Sequence, residues 1–354
     1  MAKPEIELVE LVHIAALARI GLGSGLVARS QWRRVNPLKP DDSDWLLNAT
    51  RTIVGGRQAA SEVTTSFLRL MLALETGSTF GRKPGVTSVS VDDLRKDFLD
   101  AVERVADFDW GSGRGTDTDL MWLSSEFRAA GGRNQLSMDE LIRALADWQK
   151  GSRSGRKRVR LVDGVLPGDG LNTPNRVQEQ LKGLIRQVGA EGFARRVARL
   201  KRLYGENAER YEKELAEAFD THSNLVAGLA DSAVMDRSRR LAIGTADWMG
   251  GRVAIARGTR SSPCGFCAML ASRGFVYLSE RSAIMTAVGK RYHPNCHCFP
   301  IMRVTTDELP ERNRYFQEMW PEVTKGHYGA EARRVWRKWA DSQRAKSLGG
   351  KQEN

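Results

Sequence analysis

Cysteine is nearly missing from this chain of 354 residues, which holds only four. Long apolar runs are missing too: no stretch approaches the ~20 consecutive apolar residues of a bilayer-crossing helix, so no membrane partner is expected. The first residues do not read as a secretory signal, because Glu5, Glu7 and Glu10 interrupt what should be a basic and then an apolar region. A protein made and kept in a reducing cytoplasm is expected, where close cysteines more often hold metal than each other. Disulfides are the alternative.

Several catalytic signatures are lacking as well. The sequence has no Gly-x-x-x-x-Gly-Lys phosphate loop, no His-Glu-x-x-His helix and no dinucleotide fingerprint after a strand. It shows no internal repeat and no low-complexity block. Histidine is scarce, with five in all, which narrows the choice of general base for a serine protease. His13 falls on an apolar stripe and His293 and His297 sit among the cysteines, leaving His222 and His327. Asp220-Thr221-His222-Ser223 holds all three triad residue types, yet neighbours on one helix cannot form a triad among themselves. Gly21-Leu22-Gly23-Ser24-Gly25 has its glycines out of register for a nucleophile elbow.

Enough apolar sequence remains to build a core: 41% of residues are hydrophobic and 28% charged, and the length allows two or three domains. The charge balance, 55 basic against 43 acidic residues, gives +12 and favours polyanionic neighbours. Basic residues cluster at Arg153, Arg156, Lys157, Arg158 and Arg160, at Arg195, Arg196, Arg199, Lys201 and Arg202, and at Arg333, Arg334, Arg337 and Lys338. Clusters on several separate segments suggest a diffuse basic surface able to touch nucleic-acid backbone without sequence reading, with the first cluster as the named candidate contact; solvated helix faces are the bland alternative.

The pattern along the chain is mainly helical. Residues 5 to 20 carry Ile6, Val9, Val12, His13 and Leu17 at three- and four-residue steps. A second helix is expected from Ser43 to about Glu75, interrupted at Gly55-Gly56, and a third over Val91 to Phe108 with Leu94, Phe98, Val102 and Val105 on one side. Ser137 with Glu140 forms a capping box for a short helix through Trp148. Periodicity stops between Gly151 and Thr173, where a linker or ordered arm is expected. It resumes at Thr173-Pro174, a cap followed by a first-turn proline, with Val177, Leu181, Leu184, Ile185 and Val188 as the buried face. A helix or helix pair follows from Glu206 to Trp248. Strand signals are confined to Phe275-Val276-Tyr277 and Phe299 to Val304. A last helix over Ala330 to Ser342 places Ala332, Val335, Trp336 and Trp339 together, and the polar tail from Ala345 is expected to fray. Trp336 and Trp339 read as a buried face, or else as a docking face beside Arg333, Arg337 and Lys338.

The four cysteines all lie between positions 264 and 298, as Cys264-Gly265-Phe266-Cys267 and His293-Pro294-Asn295-Cys296-His297-Cys298. Zinc takes four nitrogen or sulfur donors in a tetrahedron, and a Cys-x-x-Cys turn presents two sulfurs to one ion. Ala268 to Arg273 followed by Gly274 reads as a short helix with a glycine stop. In an extended segment Cys296 and Cys298 share a face that His297 does not, so His297 is the least expected ligand. His293 is brought in by the Pro294-Asn295 turn. The candidate ligands are therefore Cys264 and Cys267 with two of His293, Cys296 and Cys298, and the site is structural, stapling a module that buries little apolar surface. A deaminase-type zinc site does not fit, because its His-x-Glu should precede Pro-Cys-x-x-Cys and none does.

Residues 263 to 274, the aromatic Tyr277, and Tyr292-His293-Pro294-Asn295-Cys296-His297-Cys298 together resemble the signature of phage head-morphogenesis minor capsid proteins of the Mu F type. The nearest form is that of actinobacterial phages, often labelled capsid maturation protease. The resemblance covers roughly residues 175 to 305. It implies a protein encoded beside the portal gene, carried in few copies inside the capsid near the portal, and engaged in assembly or DNA delivery with portal, scaffold or major capsid protein as partners. It implies no proven catalytic site. The expected architecture is mainly α: a helical region over 1–150, a basic linker over 151–173, and a head-morphogenesis domain over 174–305. The domain carries a small zinc-stapled α+β module at 258–304, and C-terminal helices with a polar tail follow over 306–354. The expected role is a minor capsid protein of a tailed phage, made in the host cytoplasm, placed in the virion and touching packaged DNA. Proteolytic maturation of capsid or scaffold is the alternative.

Overall fold

A computed structural model describes residues 3–36, 43–81, 88–107, 138–151, 157–162, 174–250, 253–259, 263–276, 298–304 and 308–349. Three long helices form its centre: α1 (Lys3–Arg33), α2 (Ser43–Thr76) and, far along the chain, the 41-residue α7 (Ala208–Trp248). Val9, Val12, Ala16 and Ile20 of α1 meet Ile53, Ala60 and Val63 of α2 and Val226, Ala230 and Val234 of α7, with essentially no exposure. The apolar periodicity read over residues 5 to 20 thus continues for a further three turns. Among the described residues, Glu5–Arg33 is long and apolar enough to span a membrane by length and composition, contrary to the sequence expectation. Its apolar window is 72% buried within the protein, as suits a central core helix.

Glycine tightens this centre. The break expected at Gly55-Gly56 does not occur, because Gly56 is a packing position: a Cβ there would lie 2.4 Å from Ser24 Oγ and 2.9 Å from a Val234 methyl. Where α1 crosses α7, a Cβ on Gly25 would lie 2.9 Å from the Ala227 carbonyl oxygen. Close backbone approach takes the place of side-chain interdigitation at both points.

Around the centre, α3 (Val91–Asp107) buries Leu94, Phe98, Val102 and Val105 as its spacing predicts, and α4 (Met138–Gly151) packs on α1 and α3. Ser137, the proposed capping residue of α4, lies outside the described residues. Arg95 of α3, 1% exposed, holds Glu5 of α1 at 2.6 Å, a buried ion pair that fixes the start of the chain. A small sheet has strand order β1 (Ser78–Phe80), β3 (Arg158–Val162), β2 (Ser88–Ser90), with β1 parallel and β2 antiparallel to β3. The central strand β3 lies inside the segment expected as a linker. Val159 is its buried side chain, flanked by exposed Arg158 and Arg160 on the opposite face.

The second half opens with α5 (Pro174–Arg186), which runs through a π turn (Gln187–Glu191) into α6 (Gly192–Tyr204). Leu181 and Ile185 are buried as expected, whereas Leu184 is 46% exposed. Of the helix or helix pair anticipated over Glu206 to Trp248, the single unbroken helix is what forms: α7, capped by Asn207 accepting from the Arg210 amide. After it come β4 (Ala254–Gly258), α8 (Gly265–Ala271), β5 (Phe299–Arg303), α9 (Glu311–Val323) and α10 (Gly329–Gly349). Of the two expected strands, Phe299 to Val304 forms β5, while Phe275 and Val276 are not in a strand and Tyr277 lies outside the described residues. α10 continues to Gly349, past the residue where fraying was expected to begin.

Both halves share one core, which runs from Ile6 on α1 to Leu309 ahead of α9. An aromatic knot joins α1, α2, α6 and α7: Trp32 meets Trp45 edge-on at 5.0 Å, Phe193 at 5.8 Å and Phe219 at 5.5 Å.

A polar chain also crosses the three central helices. His13 of α1 stacks on Phe67 at 3.9 Å and places Nε2 3.1 Å from Thr64 Oγ1, which donates in turn to Ser238 Oγ at 2.8 Å. Burial pushes the His13 imidazole down to about 3, so the ring is neutral in the fold but titrates near its ordinary 6.5 when unfolded. Between these values the unfolded state binds the extra proton, so stability falls as pH drops through 6.5 toward 3. The expected loss from this one group is about 1.2 kcal/mol between pH 6 and 5. It should appear as a difference in urea midpoint that the variant His13→Gln largely removes.

Candidate metal centre

The cysteine region is assembled from β4, α8 and β5 and braced by distant helices. β4 and β5 pair antiparallel, Gly258 opposite Phe299, and a Cβ on Gly258 would lie 2.3 Å from the Phe299 ring. Only glycine leaves room for that ring at the end of β4. Cys264 caps α8 and accepts from the Cys267 amide at 3.4 Å, so the Cys-x-x-Cys segment forms the expected turn into a short helix. Gly274, at φ +68°, stands just past the helix in the left-handed region, as the expected glycine stop requires.

Cys298, immediately before β5, is fully buried and packs with Cys267, itself 3% exposed, and with half-buried Cys264 in a single cluster. Two segments separated by some thirty residues thus meet at one cluster. His293, Cys296 and His297 lie outside the described residues, so the fourth donor is not placed. Among the described residues no group of three His, Cys, Asp or Glu is arranged to hold a metal ion. The donor class, three clustered cysteines, suits zinc; the described set needs Cys296 or His293 to complete it.

The bracing residues were not foreseen. Arg239 of α7, 1% exposed, donates from Nε to the Cys298 carbonyl at 2.8 Å. Trp336 of α10 donates from Nε1 to the Gly265 carbonyl at 3.0 Å. Asn313 of α9, also buried, donates to the carbonyls of Arg257 at 2.7 Å and Ala271 at 3.0 Å, tying β4 to the end of α8. A Cβ on Gly265 would lie 2.8 Å from Arg337 Cα, so α10 rests directly on the cysteine turn. Phe316, Trp336, Ala340, Ala268 and Ala271 form the apolar cluster between α8, α9 and α10, and Trp339 packs against it. On the tryptophan face of α10, Trp336 is therefore buried and Trp339 half-buried.

The candidate protease groups are dispersed. His222 is buried on α7, with Nδ1 2.8 Å from the Ala218 carbonyl and its ring edge-on to Phe193 at 5.5 Å. Asp220 points to solvent and meets Arg33 at 3.4 Å, while Ser223 is fully buried. His327, between α9 and α10, lies 3.8 Å from Glu331. Among the described residues neither histidine is joined to both a hydroxyl nucleophile and a carboxylate.

Of the candidate nucleic-acid contacts, Arg153 and Arg156 lie outside the described residues; Lys157, Arg158 and Arg160 are exposed at β3. No curated protein and no solved structure matches the chain. Residues 177–323, less than half of the chain, match the model of the family described as VG15 protein. That stretch runs from α5 through α9 and holds all three described cysteines. The family is a viral one, and the match suggests a phage protein associated with the virion.

Proposed function

We propose that this chain is a minor capsid protein of the Mu F type, acting in head morphogenesis of a tailed phage from inside the capsid near the portal. The observation that carries the reading is the coincidence of the viral family match with the cysteine cluster and its braces from α7, α9 and α10. Its work is binding: helical surfaces engage portal, scaffold or major capsid protein, and basic segments, Lys157 to Arg160 among them, lie against packaged DNA. Zinc held by Cys264, Cys267, Cys298 and either Cys296 or His293 fixes the shape of the module. It supplies folding energy by crosslinking short segments, with all four places taken by protein.

Two measurements test this. Elemental analysis of the purified chain should find one zinc per chain, retained at neutral pH, lost in Cys267→Ser, and removed by a strong chelator together with cooperative unfolding of the module. A fully folded, metal-free chain would overturn the zinc assignment. In the phage, the protein should copurify with portal from procapsids, and deleting its gene should give noninfectious heads with normally processed capsid protein. Accumulation of uncut capsid or scaffold would favour the protease instead.

A further inference from the structure

We infer that the exposed face of α6 is a docking surface for the phosphate backbone of double-stranded DNA. The sequence of α6 holds five basic residues and no acidic one. Its buried side is set by Phe193 and Leu200, which anchor it to the core. Arg195, Arg199 and Arg202 follow at steps of four and three, so they share one face, and all three are exposed. Arg196 faces elsewhere, toward Glu214 of α7 at 3.8 Å. Arg195 has one distant acidic neighbour, Glu191 at 3.9 Å, and among the described residues no ion pair reaches Arg199, Lys201 or Arg202.

Length and chemistry suit a phosphate strand. Seven residues of helix span about 10 Å, which covers about three phosphates of one strand at 3.4 Å of axis each. Arginine offers a planar fork of donors to phosphate oxygens, and it costs less to strip of water than lysine. The start of α7, which packs against α6, is mixed in sign, with exposed Glu209, Glu212 and Glu217 beside exposed Arg210 and Lys213, so the unbroken run of positive charge belongs to α6.

Other occupants fit less well. Single-stranded nucleic acid wants aromatic platforms, and the ring of Tyr204 at the end of α6 is already covered by the Arg210 guanidinium at 4.5 Å. A protein interface wants an apolar centre, and the exposed large apolar side chain of α6 is Leu203 alone. The inference rests on the reading that DNA is a neighbour of this protein, and it adds a surface apart from β3.

The test uses the full-length purified chain and a short random-sequence DNA duplex, followed by fluorescence anisotropy. Neutralising three phosphate contacts in the variant R195Q/R199Q/R202Q should lower the slope of log affinity against log salt by about 2.7, so that between about 50 and 200 mM salt the wild type loses roughly 40-fold more affinity than the variant. These side chains are exposed, so the thermal midpoint of the variant should match the wild type. An unchanged slope in a normally folded variant overturns the assignment, as does loss of polyglutamate binding without loss of duplex binding, which would mark the stripe as a site for an acidic protein. Because no portal, capsid or metal enters the measurement, its failure leaves the assembly role standing, and absence of the protein from procapsids leaves the DNA surface standing.

Discussion

Replacing Arg303 with Met should cost about 3–5 kcal/mol of stability, because it strands a buried carboxylate. Arg303, the last residue of β5, forks onto Glu10 of α1: Nη1 donates to Oε1 and Nη2 donates to Oε2 at 2.6 Å, with the two side chains 3% and 8% exposed. Beside them the Val304 amide donates to Glu75 of α2 at 2.6 Å. The strand that follows Cys298 is thus bolted to both of the first two helices. Burial pushes the Glu10 carboxyl above its usual range, and the guanidinium pulls against that. Without Arg303 the opposing pull is gone and Glu10 takes up a proton in the fold at higher pH than before. The penalty of the variant should therefore shrink as pH is lowered toward the carboxylate range. The double variant E10M/R303M should recover much of the loss, since replacing both charges removes the desolvation cost along with the attraction. Urea unfolding of the two single variants and the double variant measures the coupling directly. A single-variant loss below about 1 kcal/mol would show that water reaches the pair.

Trp336→Ala should be comparably damaging, about 3–5 kcal/mol. The indole is 1% exposed and lies 5.0 Å from the Trp320 ring, 4.7 Å from Trp339 and 6.3 Å from Phe316, so its removal opens a cavity at the meeting of α8, α9 and α10. It also deprives the Gly265 carbonyl of its donor. With seven residues, α8 is too short to persist without such support. The loss should therefore be read at the cysteines as well as globally: the buried Cys267 thiol should become reactive toward an aromatic disulfide reagent faster than the chain unfolds. Trp336→Phe keeps most of the ring volume and loses the N–H, and should cost about 1–2 kcal/mol.

The helices were legible because burial repeats at 3.6 residues, and the stripes on α1, α3 and α5 could be read directly. Where the reading missed, the cause was distance or brevity. The strands β1 and β2 have three residues each, too few for an alternation to register. α9 falls within the C-terminal helices expected over 306–354, but its bounds were hidden by its many charges and by Pro321, which sits in its final turn where it breaks little. Gly55-Gly56 suggested a break because the sequence does not reveal that Ser24 and Val234 will press on that face. At the cysteine cluster, spacing nominated Cys264 and Cys267 with two of His293, Cys296 and Cys298, and of these last three Cys298 alone lies among the described residues, packed with the first pair. Spacing did not reveal the residues that hold the cluster in place, since Arg239 donates across 59 positions and Trp336 across 71. The Glu10–Arg303 fork spans 293 positions and leaves no local trace.

The π turn at Gln187–Glu191 settles which way the arginines of α6 look. A helix advances about 100° per residue, so a single widened turn re-aims everything beyond it by that angle. Gly189 makes the widening tolerable, since a Cβ there would strike the Trp45 and Trp32 rings at 2.9 and 3.1 Å. Excising one residue from this loop of backbone would swing the stripe through more than a quarter circle, with Phe193 and Leu200 dragged off their seats. The compass bearing of the charged edge is thus written in one surplus amino acid.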